Sequence, residues 1–569
     1  MRKTHIFSMA TLVLVLAFGC DLQREEPVDV AGINDGTDGG SQGGGGQGGG
    51  GGGGSGSTTP EQGVAELARF ESAQELEDYF KGQILEQNQR FMGFRGLEDG
   101  EFLDEAPTAG GDDLAGAADG DSAADASAAP EAGAAQAGDG DFSGTTIQEE
   151  GVDEADVVKT DGQYIYVMTG QQLRIVSAQP PDAMQLLASF DLEGYGRDLY
   201  LVGDLAVALT SNAGVFLPVG GFGIDAVGLP AGPRQEEPFI GIDGADFIVE
   251  PWYRPRPQTV VSVIDVSDRS DPSLVWQTAF DGSISASRMI DGVLRLVLAN
   301  FPDYYYDVLP LGAEEDELGL PDIDLDVLLP DFVSLGPDGQ TRRGNVVEFD
   351  GFFRPVDPDG FGVTTIITMD TDTPDQFDAV AVVAEPGLIY ASTEALYLTD
   401  TDYYFDFRRV NTDIYKFAFT PQSVNLVAAG QVPGRILNQY SMGEYQGFLR
   451  VASTTDQLFI WETGEQIPST NAVYVLGEQD DALAVVGSVE DVAPGEQIQS
   501  ARFLGDRGYV VTFVQIDPFF TLDLADPLNP RIVGELKLPG FSTFITPMDQ
   551  DHVLTVGVYV DPDGFGLRE

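Results

Sequence analysis

Val158-Lys159-Thr160-Asp161-Gly162-Gln163-Tyr164-Ile165-Tyr166 sets a turn dipeptide between two β-rich runs. Asp-Gly supplies the positive φ that a tight, twisted hairpin needs. The pattern then returns along the chain. Leu199-Tyr200-Leu201-Val202 leads through Gly203-Asp204 into Leu205-Ala206-Val207, and Arg288-Met289-Ile290 leads through Asp291-Gly292 into Val293-Leu294-Arg295-Leu296. Further copies run from Leu388 to Leu398 through Glu394, from Tyr440 to Val451, from Arg502 to Val510 through Gly505-Asp506, and from Ile545 to Val556.

A second strand pair follows each of the first six hairpins. Its clearest form is Val260 to Asp265, a turn at Asp271-Pro272, then Leu274-Val275-Trp276, echoed by Phe520 to Asp523, Asp526-Pro527 and Ile532-Val533. Others begin at Leu173, Thr364, Asp413 and Ala472. Hairpin and pair together give four strands, which is one propeller blade. The shortest intervals, Asp161 to Gly203 and Asp506 to Gln550, are about 42 and 44 residues, the length of such a blade. The expected fold class is therefore all-β, a β-propeller of about seven four-stranded blades over residues 144–569. Insertions at about 212–258 and 300–362, rich in Gly, Pro, Asp and aromatics, are expected as loops outside the blade sheets. The seventh hairpin ends near Val560, close to Glu569, so the last blade is expected to be incomplete. Either Thr145 to Gln148 helps to close the ring or the chain is truncated. Two strands are needed there, which favours truncation.

Upstream, residues 1–20 read as an export signal. Met1-Arg2-Lys3 is basic, Ile6 to Phe18 is mostly apolar and too short to span a bilayer, and Ala17-Phe18-Gly19-Cys20 resembles a lipobox. Leu is usual where Ala17 stands. Cys20, the one cysteine of the chain, is the expected lipidation site, with an ordinary secretory signal as the alternative. Residues 21–58 are a Gly/Ser-rich tether with too little apolar surface to fold. Residues 59–103 carry a short helical segment: Val64, Leu67, Phe70, Leu76, Phe80 and Ile84 recur at helical spacing, and Ser72 with Glu75 resembles a capping box. Residues 104–143, almost purely Ala, Gly, Asp and Ser, are expected to be a disordered linker.

Acidic residues number 93 against 29 basic ones, a net charge of −64. Such a field repels nucleic-acid phosphates and anionic lipid surfaces, so no nucleic-acid partner is expected, and membrane association only through the lipid. It suits solubility in high salt, and weak calcium binding is a second use of it. One cysteine excludes a disulfide, and His552 is the one histidine beyond the signal.

The sharpest local constellation is Asp153, Glu154, Asp156, Lys159 and Asp161. On an inner strand these residues are candidates for a channel or cation site, with paired carboxylates holding a metal or acting as acid and base. The structural alternative is that Asp153 or Asp156 pairs with Lys159 and fixes the first blade. The Asp-rich runs at Asp322–Asp326, Asp357–Asp359, Asp370–Asp372 and Asp400–Asp402 do not fit a complete calcium loop. The aromatic clusters Tyr304–Tyr306 and Tyr403–Phe405 are candidates for a glycan- or protein-binding surface.

The run from Thr145 to Tyr166, with Glu149-Glu150-Gly151-Val152-Asp153-Glu154-Ala155-Asp156, resembles the domain start in a family of secreted bacterial and archaeal proteins with a C-terminal β-propeller. Phe70 to Tyr79 is similar to their short pre-domain helix, and Ile264 to Pro272 to their strand-turn pattern. The resemblance covers about 144–569 and implies export and a propeller, with no defined activity and no catalytic residues. The expected function is a non-catalytic, envelope-anchored module, periplasmic or cell-surface, that binds a protein or glycan and needs no cofactor. The alternative is a metal-assisted hydrolase or lyase using carboxylates in the central channel.

Overall fold

The computed structural model describes residues 67–83, 147–212, 257–300, 325–356, 362–384, 387–401, 410–460, 465–513, 517–548, 552–560 and 567–568. The signal with Cys20, the tether, the linker 104–143, and the clusters at Tyr304–Tyr306, Asp322–Asp324, Asp357–Asp359 and Tyr403–Phe405 lie outside them.

Four-stranded antiparallel sheets follow one another along the chain. Blade 1 is Val158–Thr160, Tyr164–Thr169, Gln172–Ser177 and Gln185–Asp191. Blade 2 is Tyr195–Val202, Leu205–Asn212, Gln258–Asp265 and Ser273–Asp281. Blade 3 is Ser283–Ile290, Val293–Asn300, Val363–Asp370 and Asp378–Val382. Blade 4 is Ile389–Ala391, Ala395–Thr401, Asn411–Phe419 and Val424–Pro433. Blade 5 is Met442–Tyr445, Phe448–Thr455, Thr470–Gln479 and Ala482–Val492. Blade 6 is Gln497–Leu504, Arg507–Phe513, Asp517–Asp523 and Arg531–Leu538. The seventh sheet shows three strands among the described residues, Phe541–Pro547, Val553–Val560 and Leu567–Arg568.

Each sheet buries its faces against the next sheet in sequence. Tyr166, Leu173 and Ile175 of blade 1 meet Leu199, Ala206 and Ile264 of blade 2. Val207 and Val261 meet Leu294 and Ile367 of blade 3, and Ile366 with Val380 meets Leu396 and Tyr415 of blade 4. Tyr397 and Ile414 meet Leu449 and Tyr474 of blade 5, while Ala452 and Val473 meet Ile498, Val510 and Phe520 of blade 6. Burying each large apolar side chain contributes about 1.5–3 kcal/mol, and no blade could bury both faces alone. Second and third strands are the most enclosed, as in Val293–Asn300 and Val363–Asp370, whereas the fourth strand of blade 6, Arg531–Leu538, is largely exposed. The first strand is the inner one, because the first strands of blades 2 and 3 carry the pairings to Asp156 and to Asp153–Glu154.

Within the insertion at 300–362, the described residues 325–356 differ from the expected loop. Asp331–Leu335 pairs with Ser273–Asp281, and Thr341–Asn345 pairs with Asp331–Leu335, so blade 2 grows to six strands. Pro337-Asp338-Gly339 is the hairpin turn, and Phe332 packs against Phe280 and Phe377. The Gly- and Pro-rich surroundings hide one short hairpin in the sequence.

Helix 73–83 stands upstream of the propeller. Ser72 Oγ accepts from the Glu75 N–H at 3.2 Å, the first half of the expected capping box, while the Glu75 carboxylate accepts at 2.7 Å from the Glu71 N–H, one residue before the Ser72 N–H that the complete box would bind. Leu67–Arg69 is a strand rather than helix, paired with Phe352–Pro355 on the outer edge of blade 3. The docked edge supplies backbone partners that outweigh helical propensity. Phe70, Leu76 and Phe80 are buried in the core shared by blades 2 and 3.

Candidate functional site

The segment 148–157 runs from blade 6 back to blade 1 and touches every blade between. Gln148 donates from Nε2 to the carbonyls of Gln439 and Met442 at the start of blade 5, at 2.8 and 3.1 Å, and its own carbonyl accepts from Arg502 of blade 6 at 2.7 Å. Glu149 accepts from the Tyr390 hydroxyl of blade 4 at 2.8 Å. Val152 is buried between Ile290 of blade 3 and Ala391 of blade 4. Asp153 and Glu154 pair as a short strand with Met289 and Arg288 of blade 3. The Asp156 carbonyl accepts from the Leu199 N–H of blade 2 at 2.9 Å, and Val157 leads into blade 1. Ten residues of extended chain reach at most about 36 Å. Only first strands converging on a common centre bring six blades within that span. Gly151 makes the turn possible with φ +84°, and a Cβ there would stand 3.1 Å from Thr393.

The partners of this strap come from one register row. Lys159, Tyr200, Arg288, Tyr390, Gly443 and Arg502 occupy equivalent places in the first strands, and Tyr166, Val207, Arg295, Tyr397, Arg450 and Tyr509 stand opposite in the second. Among the described residues the buried lysines and arginines are Lys159, Arg288, Arg295, Lys416, Arg450 and Arg502. All lie in this row, Lys416 standing opposite Tyr397 in the third strand of blade 4. Several rest on an aromatic ring of the next blade: Lys159 on Tyr200 at 5.7 Å, Arg295 on Phe419 at 4.4 Å, Arg450 on Phe503 at 5.4 Å.

The carboxylates of the row are answered by those cations. Lys159 Nζ lies 2.7 Å from Asp153 and donates to the Glu154 carbonyl at 2.6 Å. Arg288 Nε lies 3.9 Å from Glu154, and its Nη2 donates to Gln439 Oε1 at 2.8 Å. Burial pushes the Glu149 carboxyl above its usual range; the Tyr390 bond and the nearby Arg502 and Arg450 oppose that rise. Glu444 accepts from Ser392 at 2.5 Å and lies 3.6 Å from Lys416. Burial also raises Asp198, although Ser287 donates to it at 2.9 Å.

Of the residues singled out in the sequence, Asp153, Glu154 and Lys159 come together. Asp156 and Asp161 stand apart from them. Asp156 accepts from the Val157 N–H at 2.7 Å, and Asp161 caps its own hairpin through the Gln163 and Tyr164 N–H groups at 3.0 and 2.7 Å. Asp161 also belongs to a clasp between blades 1 and 2. Arg269 donates to Asp204 at 2.6 Å and to the Tyr166 hydroxyl at 3.0 Å, and lies 3.5 Å from Asp161. The clasp borders an open cleft of about 780 Å³ lined by Tyr164, Leu187 and Ser270 as well. Among the described residues, no three of His, Cys, Asp and Glu are grouped to hold a metal ion.

Sequence reasoning missed Glu149, Tyr390, Arg288, Arg450 and Arg502 as parts of one site. A signal was present: Arg288 and Arg502 each stand three residues before a turn dipeptide, Asp291-Gly292 and Gly505-Asp506, and Lys159 stands two before Asp161-Gly162. Aligning the hairpins on their turns would have exposed the row.

The profile of a family described as beta propeller domain matches residues 142–566. An uncharacterized protein of Archaeoglobus fulgidus is 47% identical over 148 residues, 26% of this chain and 21% of its own length. An uncharacterized protein of Methanocaldococcus jannaschii is 24% identical over 483 residues, 74% of this chain and 66% of its own length. The chain thus spans less than two thirds of either relative. Among solved structures, a functionally unknown protein of Desulfotomaculum acetoxidans aligns over 62% of this chain and 88% of its own at 10% identity and a TM-score of 0.21.

Proposed function

Because the chain belongs to the beta propeller domain family, we propose that it is a non-catalytic propeller that binds a protein or glycan, held at the cell envelope through a lipid on Cys20. One observation carries this reading. The charged groups nearest the centre are committed to one another: Asp153 to Lys159, Glu154 to Arg288, and Glu149 to Tyr390 beside Arg450 and Arg502. Groups that hold the ring together in this way are poor candidates for acid–base work, which needs a carboxylate facing substrate. Recognition then falls to the connections between strands. Asn212 with Gln258, Asn300 with Val363, and Thr401 with Thr412 bracket the longer ones, and all stand at the end of the ring opposite the hairpin turns.

The test is affinity capture from envelope extracts with the full chain, run beside Asp153→Asn and Glu154→Gln. A binding module retains the same partner in all three, while the two variants melt at lower temperature. Loss of a hydrolytic or lyase activity in the variants, without loss of fold, would instead establish the enzyme.

A further inference from the structure

The strap is unusually acidic for a segment at the centre of a ring. Glu149, Glu150, Asp153, Glu154 and Asp156 fall within nine residues. The hairpin turns add Asp291, Glu394 and Asp506, all exposed, besides Asp161 and Asp204, which Arg269 engages. Two electrostatic effects with opposite salt responses act here. Lys159 and Arg502 hold the strap through contacts of 2.7 Å and Arg288 lies 3.9 Å from Glu154; all three cations are largely buried, so added salt screens them little. Repulsion among the exposed carboxylates passes through water, and it weakens as the screening length falls from about 10 Å at 0.1 M salt to about 3 Å at 1 M. The rest of the attachment is mostly polar: Gln148 bonds to Gln439 and Met442, Glu149 to Tyr390 and Asp156 to Leu199, while Val152 is the one apolar side chain fully buried between Gln148 and Asp156 and two residues form the ladder to blade 3. Such segments open at a small fraction of the global unfolding free energy.

We propose that residues 148–156 are an ionic-strength-gated latch, seated across the inner strands at high salt and released at low salt while the blades stay folded. The expected sign is the reverse of an ordinary surface ion-pair contact, which salt loosens. When seated, the latch fixes the relative positions of blades 2 to 6. Its release frees Arg288 and Arg502 from their strap partners Glu154 and Gln148.

Hydrogen exchange by mass spectrometry on the full chain tests this at fixed pH across about 0.05 to 2 M sodium chloride. Protection of 148–156 is expected to rise by about ten-fold, more than that of the third strand of blade 2. A variant with Asp291→Asn, Glu394→Gln and Asp506→Asn removes turn charges without touching the strap's hydrogen bonds. It is expected to protect the latch at low salt and to flatten the response. Protection that falls or stays level with salt overturns the proposal. So does a strap that moves in step with blade 2, or a triple variant that keeps the full wild-type response.

Discussion

The hydroxyl of Tyr390 donates 2.8 Å to the carboxylate of Glu149 across 241 residues of sequence, joining the segment that opens the propeller to its fourth blade. The same hydroxyl accepts from the Glu444 N–H of blade 5 at 2.6 Å. One phenol thus ties two blades and the strap, and Tyr390 is fully buried.

Tyr390→Phe is expected to cost about 2 kcal/mol, because it leaves a buried carboxylate and a buried N–H without their partner. Glu149→Gln, which keeps an acceptor in place and removes the buried charge, is expected to cost less. Chemical denaturation midpoints at pH 7 measure both, and a larger loss for Glu149→Gln contradicts the assignment.

Burial raises the carboxyl pKa of Glu149 and Asp198 above their ordinary 4.5 and 3.8. The folded state then binds protons more tightly than the unfolded chain. Their contribution is most favourable below the ordinary values, declines as pH rises through the raised ones, and levels off above. Glu149→Gln with Asp198→Asn removes that decline. The melting temperature of the double variant minus that of the wild type should increase as pH climbs from about 4 and then reach a plateau. A difference that shrinks with rising pH contradicts the sign.

Arg269 bridges the hairpin turns of blades 1 and 2 through Asp204, Tyr166 and Asp161. Arg269→Met is expected to lower stability by about 1 kcal/mol, with faster amide exchange confined to blade 1. Arg269→Lys should rescue little, because a single ammonium cannot reproduce the forked donation. Full rescue by lysine would show that charge alone matters there.

Leu76 is fully buried in the core shared with blades 2 and 3. Leu76→Ala is expected to cost about 2–4 kcal/mol of docking and to expose 67–83 to proteolysis while the blades keep their circular-dichroism spectrum. Unchanged protease resistance contradicts a docked helix.

The repeat was legible because each hairpin carries its own turn chemistry: Asp291 and Gly292 both take positive φ, as Asp-Gly in such a turn requires. The buried cations were not read as a set, because each is one residue in an otherwise apolar strand and their neighbourhood exists only once blades are side by side. Asp153 and Lys159 were legible as a pair since six residues separate them. Tyr390 and Arg502 were not, since nothing local links either to Glu149. The Asp331–Asn345 hairpin was hidden by its composition, its strand character coming from the exposed edge of blade 2 that it completes.

The central claim is that the first strands converge on residues 148–157. Spin-label distances test it most directly, in a Cys20→Ser background, from Gln163→Cys on the turn of blade 1 to Glu394→Cys on blade 4 and to Arg507→Cys on blade 6. A ring predicts a shorter distance to blade 6 than to blade 4. A distance that keeps growing from blade 4 to blade 6 would mean a linear stack and would contradict the account.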